Sequence, residues 1–182
     1  MDITDLLKRI SAGDRQAFAG IVAHYQRPLF GFLGRMALGQ GQAEEVAQET
    51  FLRAWQKLGE YRPERAGFST WLFTIARNLA LHELERAARR NELGGAGDLP
   101  EPACERPQPP EALALARQQR RLQGALRRLP LADRGALALA YNHELELAEV
   151  ARIEGCSVAA IKTRLHRAKE KLRQLLLEDS DG

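Results

Sequence analysis

The strongest chemical signal in the sequence is a run of cations near its C-terminus. Between residues 162 and 173 six basic side chains accompany a single acid, Glu170. The cations are Lys162, Arg164, Arg167, Lys169, Lys171 and Arg173. Such side chains neutralise phosphates, and each contact adds a salt-sensitive increment to the affinity for nucleic acid. A solvated helix with cations near its C-terminus has the same composition. The neighbouring sequence must therefore distinguish a nucleic-acid contact from an ordinary exposed helix.

That context is a predicted helix, turn and second helix between Leu145 and Lys169. Gly155 can take the positive φ that ends the first helix, and Ser157 can cap the second. On a helical wheel, four apolar residues share the side of Ile161: Val158, Leu165, Ala168 and Leu172. The outward side carries Ala159, Lys162, Thr163, His166 and Arg167. Because the cations coincide with helix-turn-helix spacing, the pattern favours a helix that reads the major groove of DNA.

A second chemical signal is a cluster of aromatic residues among arginines. Six of the eleven aromatics fall between residues 51 and 73: Phe51, Trp55, Tyr61, Phe68, Trp71 and Phe73. The arginines around them are Arg62, Arg65, Arg77, Arg86, Arg89 and Arg90. Unpaired bases stack on aromatic faces while guanidinium groups neutralise phosphates, which suits single-stranded nucleic acid. Packing in the core is the alternative, favoured for Phe51 and Trp55 and evenly balanced for Phe68 and Trp71.

The elements that position these residues are predicted to be helices. The chain has 182 residues, of which 45% are hydrophobic and 28% charged, with a formal charge of +3. These values exclude a large multidomain enzyme, wholesale disorder and a collagen-like repeat. Apolar residues recur every three or four positions, and no run alternates as a half-buried strand does. We therefore expect an all-α fold.

A change of composition divides the chain into two modules. Residues 91–112 contain five prolines, three glycines and no apolar periodicity, which predicts a flexible linker. The formal charge is +3 for residues 1–90, −4 for 91–112 and +4 for 113–182. We expect two small, basic helical domains joined by an acidic tether. Such a protein can bind one ligand at two separate sites.

One helix of the first module has an unusual pattern. It is predicted to begin after Phe68-Ser69-Thr70, with Ser69 or Thr70 as its cap, and to end in the basic residues up to Arg90. Phe73, Leu81 and Leu84 lie opposite the stripe that contains Trp71, so the helix is apolar on two sides. It is expected either to pack between other helices or to leave one hydrophobic face free for binding.

Motifs for other chemistry are missing from the sequence. Cys104 and Cys156 do not form a CxxC pair, and His24, His82, His143 and His166 form neither HExxH nor ExxH. There is no Walker A or GxGxxG loop and no recognisable catalytic set. No apolar run is long enough to span a membrane, and the N-terminus does not resemble a signal peptide. We expect a cytoplasmic, non-enzymatic protein without cofactor, metal or membrane insertion.

Taken together, these segments resemble the extracytoplasmic-function (ECF) sigma factors, the small two-domain members of the bacterial sigma class. AEEVAQETFLRAW at residues 43–55 and FSTWLFTIARNLA at 68–80, followed by a basic end, resemble their second region. LRRLP at residues 126–130 and the run from Val150 to Arg173 resemble their fourth region. The order of the motifs, the linker and the length of the chain all fit.

The resemblance implies a transcription initiation subunit that binds RNA polymerase core enzyme and directs it to promoters, commonly held inactive by an anti-sigma factor. It implies that the polymerase contacts are Glu45, Val46, Gln48, Glu49, Phe51, Arg53 and Trp55. It implies minus-ten contacts at Arg62, Phe68, Ser69, Trp71, Arg77, Asn78, His82, Arg86, Arg89 and Arg90. For the minus-thirty-five element it implies Ser157, Ala159, Lys162, Thr163, Arg164, His166, Arg167 and Lys171.

Several positions depart from the family pattern. Ala138, Ala140, Asn142 and His143 replace larger or charged residues that are common in the helix before the motif. Glu154 stands where an apolar residue is common just before the turn glycine, which predicts a shallower helix or a polar neighbour. Gly135 lies in a predicted helix, where glycine costs about 1 kcal/mol relative to alanine. The alternative functions are a stand-alone helix-turn-helix regulator that binds duplex DNA and, in a different class, a helical nucleic-acid-processing enzyme.

Overall fold

A computed structural model describes residues 2–92, 110–142 and 144–178, and every regular element in these ranges is a helix. The predicted all-α class is confirmed. The eight α-helices are α1 (Ile3–Ser11), α2 (Phe18–Arg35), α3 (Gln40–Gln56), α4 (Phe68–Glu92), α5 (Pro110–Arg127), α6 (Leu131–Ala140), α7 (Leu147–Ile153) and α8 (Val158–Glu178). Most of the predicted linker, residues 93–109, lies outside the described residues, while helix covers both of its ends. Within the described ranges no helix is long and apolar enough to cross a membrane.

The first module is built around α2, whose buried residues recur at helical spacing. Ile21, Tyr25, Leu29 and Phe32 have at most 2% of their surface exposed. Phe73 of α4 closes this core, with its ring 5.7 Å from that of Phe32. Helix α3 packs against both α2 and α4. The three helices therefore bury one shared apolar centre and leave the far face of α3 in solvent.

Helix α4 begins three residues earlier than predicted. It starts at Phe68, so Ser69 and Thr70 lie inside the first turn and neither caps it as expected. Their hydroxyls have other partners: Ser69 is 2.8 Å from the Tyr25 phenol, and Thr70 donates to Glu149 of α7. The two-sided apolar pattern is explained by packing, because α4 lies against α3 on one side and α7 on another.

The second module contains the predicted helix-turn-helix. Gly155 has φ +65 at the end of α7, and Ser157 accepts a hydrogen bond from the amide of Ala160 at 3.1 Å. Ile161, Leu165 and Ala168 are buried as predicted. Val158 is not: it lies in the first turn of α8, and 39% of it is exposed.

The turn glycine supports a stability prediction. Gly155→Ala should destabilise the protein by about 1 to 2 kcal/mol, because a Cβ is disfavoured at positive φ. No atom within 4 Å would meet that Cβ, so strain in the backbone is the only cost. Urea unfolding followed by circular dichroism measures it. Gly124→Ala in α5 is the matched control, since its Cβ also meets nothing and its helical backbone favours alanine. Equal effects of both changes on the free energy of unfolding would contradict the assignment of Gly155 to a positive φ.

The two modules pack against each other. Helix α6 contacts α2, and α7 contacts α4. Arg134 of α6 is buried and donates to the carbonyl of Met36 at 3.3 Å, and to those of Arg127 and Leu129. Gln123 donates to the carbonyl of Gly34 at 2.9 Å. The junction is thus a continuation of the core with specific polar contacts.

Candidate nucleic-acid interface

The outer face of α8 presents the predicted groove-reading residues to solvent. Seven of the eight are exposed: Ser157, Ala159, Lys162, Thr163, His166, Arg167 and Lys171. Arg164 is different, because its guanidinium points back toward the turn and lies 3.1 Å from Glu154. A helix with a buried stripe and a cationic outer face can enter a groove without unfolding its own module.

The residues predicted to contact a melted strand, nine on α4 and Arg62 before it, fall into three groups by exposure. Six are exposed: Arg62, Asn78, His82, Arg86, Arg89 and Arg90. Three are partly buried: Ser69, Trp71 and Arg77. Phe68 is buried, with 5% of its surface exposed. The structure therefore brings most of this set to one surface and places Phe68 beneath it.

Phe68 belongs to an aromatic cluster rather than to an open stacking surface. Its ring centroid lies 5.4 Å from that of Tyr61, 5.5 Å from that of Trp71 and 5.6 Å from that of Tyr25. Burial raises the pKa of the Tyr25 phenol, which stays neutral and shares a hydrogen bond with Ser69. Burial also raises the pKa of Tyr61. The partly exposed rings of Tyr61 and Trp71 are what this cluster offers to a base.

The basic end of α4 is partly neutralised from within. Glu83 is buried, and its carboxylate lies 3.1 Å from Arg86 and 3.2 Å from Arg90. This pairing fixes both guanidinium groups along the helix while leaving each about half exposed. A phosphate can therefore approach two oriented cations at this end.

Helix α3 presents a separate, polar face. Glu45, Gln48 and Arg53 are exposed, and Arg53 lies 2.6 Å from Glu49. The other three residues predicted to contact polymerase point inward: Val46 is buried, while Phe51 and Trp55 are partly buried. Trp55 packs against Phe18 with ring centroids 5.0 Å apart. Val46, Phe51 and Trp55 therefore pack α3 against the rest of the module. Glu45, Gln48 and Arg53 form its exposed face.

Sequence reasoning missed one residue of this face, Leu52. It is 49% exposed and lies beside Gln48, Glu49 and Arg53. A single exposed apolar side chain is common on protein surfaces, and Leu52 is of interest because it lies among the residues predicted to contact polymerase. Its spacing from Gln48 and Glu49 could have revealed it, because residues three and four apart share a helix face.

A groove in the second module was also absent from the predictions. It lies between α5, α6 and α8, and measures about 750 Å³. Its apolar lining includes Leu122, Leu126, Leu137, Leu172 and Leu176. Its basic lining is Arg35, Arg121, Lys169 and Arg173. Lys169 also lies 5.4 Å from the centre of the Tyr141 ring.

Within the described part of the chain no cluster of acidic, histidine or cysteine side chains could hold a metal ion. Cys156 is a partly buried free thiol beside the turn, and Cys104 lies outside the described residues. The described residues thus present surfaces that can bind a partner.

Comparison with known proteins gives a consistent answer in both modules. The family model for Sigma-70 region 2 matches residues 21–90, and that for Sigma-70 region 4 matches residues 119–172. The chain is 31% identical over 183 residues to the ECF RNA polymerase sigma factor SigW of Bacillus subtilis, covering 97% of each chain. It is 33% identical to the ECF RNA polymerase sigma factor RpoE of Cereibacter sphaeroides, covering 88% of this chain and 87% of that one.

Solved structures resemble the fold over most of its length. CnrH, in complex with the cytosolic domain of CnrY, has a TM-score of 0.68 at 26% identity and 97% coverage of both chains. RpoE of Bartonella quintana, in complex with the anti-sigma factor NepR, has a TM-score of 0.66 at 23% identity, covering 87% of this chain and 96% of that one.

Proposed function

The chain belongs to the ECF RNA polymerase sigma factor family, and from this premise we propose how its surfaces divide the work of promoter-directed transcription initiation. Residues 1–90 form the module for core polymerase and the minus-ten element, and residues 113–182 the module for the minus-thirty-five element. The residues between them, 91–112, act as the tether. Catalysis belongs to the polymerase, and the chain acts in the cytoplasm, where polymerase and promoter DNA meet.

The observation that carries this proposal is the outward basic face of α8 on a well-formed helix-turn-helix. Ser157 caps α8 and Gly155 ends α7, so the turn is rigid where the helix would enter a groove. Lys162 and Arg167 project from the exposed side. Arginine and lysine bind the edge of guanine or a phosphate from such positions. We assign the minus-thirty-five contact to this face.

The first module supplies the other two contacts. The exposed face of α3 around Glu45, Gln48 and Arg53 is proposed to bind core polymerase, with Val46, Phe51 and Trp55 holding the helix in place. The exposed residues of α4, together with Trp71 and Arg77, are proposed to hold the melted minus-ten strand. Phe68 supports Trp71 from below, because the two rings are in contact.

We propose that the groove between α5, α6 and α8 binds an amphipathic helix of an anti-sigma factor. Its leucine lining suits the apolar face of such a helix, and its four cations suit acidic residues on the flanks. CnrH has been solved with the cytosolic domain of CnrY, so a relative of this fold binds a partner protein. Because the groove is lined by basic side chains, we expect the helix that binds there to be acidic.

The stand-alone regulator is not favoured, because the region 2 match spans residues 21–90, which such a regulator does not need. The two functions differ in a simple experiment. A sigma factor is retained by immobilised core polymerase and supports transcription from promoter DNA. A stand-alone regulator would bind its site tightly without polymerase, and that result would overturn the proposal.

Leu52→Gln tests the polymerase face of α3. We expect core polymerase to bind about tenfold or more weakly, because an apolar anchor at the centre of an interface contributes disproportionately. The fold should be unaffected, since 49% of Leu52 is already exposed. Fluorescence anisotropy of the labelled chain titrated with core enzyme measures the affinity.

Leu115→Gln is the control for that experiment. Leu115 lies on α5 of the second module and is 56% exposed. If both variants bind core enzyme as the unmodified chain does, α3 is not the polymerase face.

A further inference from the structure

Acidic side chains of the second module lie directly on the first. Glu144, in the turn before α7, is 3.3 Å from the imidazole of His24. Glu149 of α7 accepts a hydrogen bond from Thr70 of α4. Glu154, at the end of α7, reaches Arg77, which lies about two helical turns beyond Thr70 on α4. Two of these carboxylates, Glu149 and Glu154, thus contact the side of α4 that faces α7, and the third contacts α2.

Glu154 makes the strongest of these contacts. Only 1% of its side chain is exposed. One oxygen lies 2.6 Å from Nε of Arg77, and the other lies 3.0 Å from Nη2, so the pair is bidentate. The second oxygen also lies 3.1 Å from Nη1 of Arg164. A single carboxylate thus joins one arginine from each of the two proposed DNA-contact sets.

The chain makes room for this carboxylate at Gly135. A Cβ at that position would lie 3.3 Å from Oε1 of Glu154 and 4.0 Å from Sδ of Met36. Glycine in the middle of α6 therefore allows α6, α7 and the end of α2 to meet closely. Two of the departures from the family pattern, Gly135 and Glu154, fall on this one contact.

We propose that Glu154 substitutes for a promoter phosphate and holds the free chain in a closed, self-blocked state. This rests on the proposed function, because it takes Arg77 and Arg164 to be DNA contacts. A carboxylate occupies the guanidinium fork as a phosphate does, so the two ligands compete for it. While the modules are closed, Glu154 occupies Arg77 and Arg164, and α7 lies against α4 beside Arg77.

Closure lowers the affinity for DNA in proportion to the population of the open state. The apparent dissociation constant is the intrinsic one divided by the fraction of open molecules. Promoter DNA or polymerase, by binding the open state, would shift that population.

The test compares Glu154→Gln, Glu154→Asp and Glu170→Gln in the full-length chain. Glu154→Gln removes the charge, and Glu154→Asp keeps the charge but shortens the reach. Glu170→Gln is the control for charge alone, because Glu170 is an exposed acid of α8 that pairs with Arg173. Two quantities are measured: the radius of gyration by X-ray scattering, and the affinity for a short, mixed-sequence single strand of DNA.

Both Glu154 variants should have a larger radius of gyration than the unmodified chain, for which a compact protein of this length predicts about 16 Å. Both should bind the single strand about tenfold more tightly than Glu170→Gln does. Circular dichroism confirms that helix content is retained, and Glu154→Asp carries the test if Glu154→Gln fails to fold.

If both Glu154 variants match Glu170→Gln in size and affinity, the latch does not exist. Expansion without a gain in affinity would also overturn the proposal, because closure would then not block DNA. Neither readout uses polymerase. Loss of the initiation function would appear instead as failure of the unmodified chain to support transcription, whatever the scattering shows.

Discussion

Replacing Lys162 and Arg167 together by alanine is expected to weaken binding to the upstream promoter element by about 2 to 4 kcal/mol, or about 30- to 1,000-fold. Both side chains are exposed on the outer face of α8, the face proposed to contact DNA. Loss of a base contact also relaxes specificity, whereas loss of a phosphate contact weakens the binding of all sequences alike. Electrophoretic mobility shift of holoenzyme on a selected promoter, at several salt concentrations, separates the two effects.

The control removes two cations from elsewhere. Lys8 and Arg15 are exposed in the first module, away from α8, so their double replacement by alanine changes the net charge equally. We expect it to leave binding to the upstream element intact. If the Lys162 and Arg167 variant occupies the promoter as well as this control does, α8 does not read the upstream element.

The largest stability effect is expected for Phe73→Ala, which should lower the free energy of unfolding by about 3 to 5 kcal/mol. Phe73 is fully buried at the centre of the first module. Its ring lies 5.7 Å from that of Phe32 and 6.4 Å from that of Tyr25, both edge-on. Truncation leaves a cavity that these rigid rings cannot fill. Denaturant unfolding monitored by circular dichroism gives the value.

Phe30→Ala is the matched control, because Phe30 lies on α2 of the same module and is 36% exposed. We expect it to cost less than about 1 kcal/mol. Equal losses of stability at the two positions would mean that the core of the first module is not centred where α2 meets α4.

Local features of the second module could be predicted from the sequence because each depends on few residues. A glycine at positive φ, a serine cap and a buried stripe at Ile161 are properties of neighbouring positions, and Gly155, Ser157 and Ile161 behave as expected. The error at Val158 arose because a helical wheel gives direction but not the reach of the neighbouring helices.

The start of α4 and the docking of the modules could not be predicted, because both depend on distant parts of the chain. Ser69 and Thr70 have the residue types of caps, but tertiary partners on α2 and α7 occupy their hydroxyls. The composition of residues 91–112 predicts a tether, but it does not determine whether the two modules are in contact. Glu154 was expected either to make its helix shallower or to have a polar neighbour, and Arg77, 77 positions away, could be identified as that neighbour only in three dimensions.

Of the proposed DNA-contact residues, those on α8 could be predicted from the sequence and the aromatic ones near Phe68 could not. The exposed face of α8 follows from periodicity, and seven of its eight predicted residues do reach solvent. The aromatic cluster does not follow, because periodicity cannot tell a ring that stacks on a base from one that stacks on another ring. Phe68 lies among Tyr25, Tyr61 and Trp71, which burial alone reveals.

The most direct test of promoter-directed initiation is transcription from a random-sequence DNA library by core polymerase, with and without the chain, followed by mapping of transcript 5′ ends. The account predicts new start sites only when the chain is present, preceded by two shared elements that align with the contacts of α4 and α8. Start sites identical to those of core enzyme alone would contradict it.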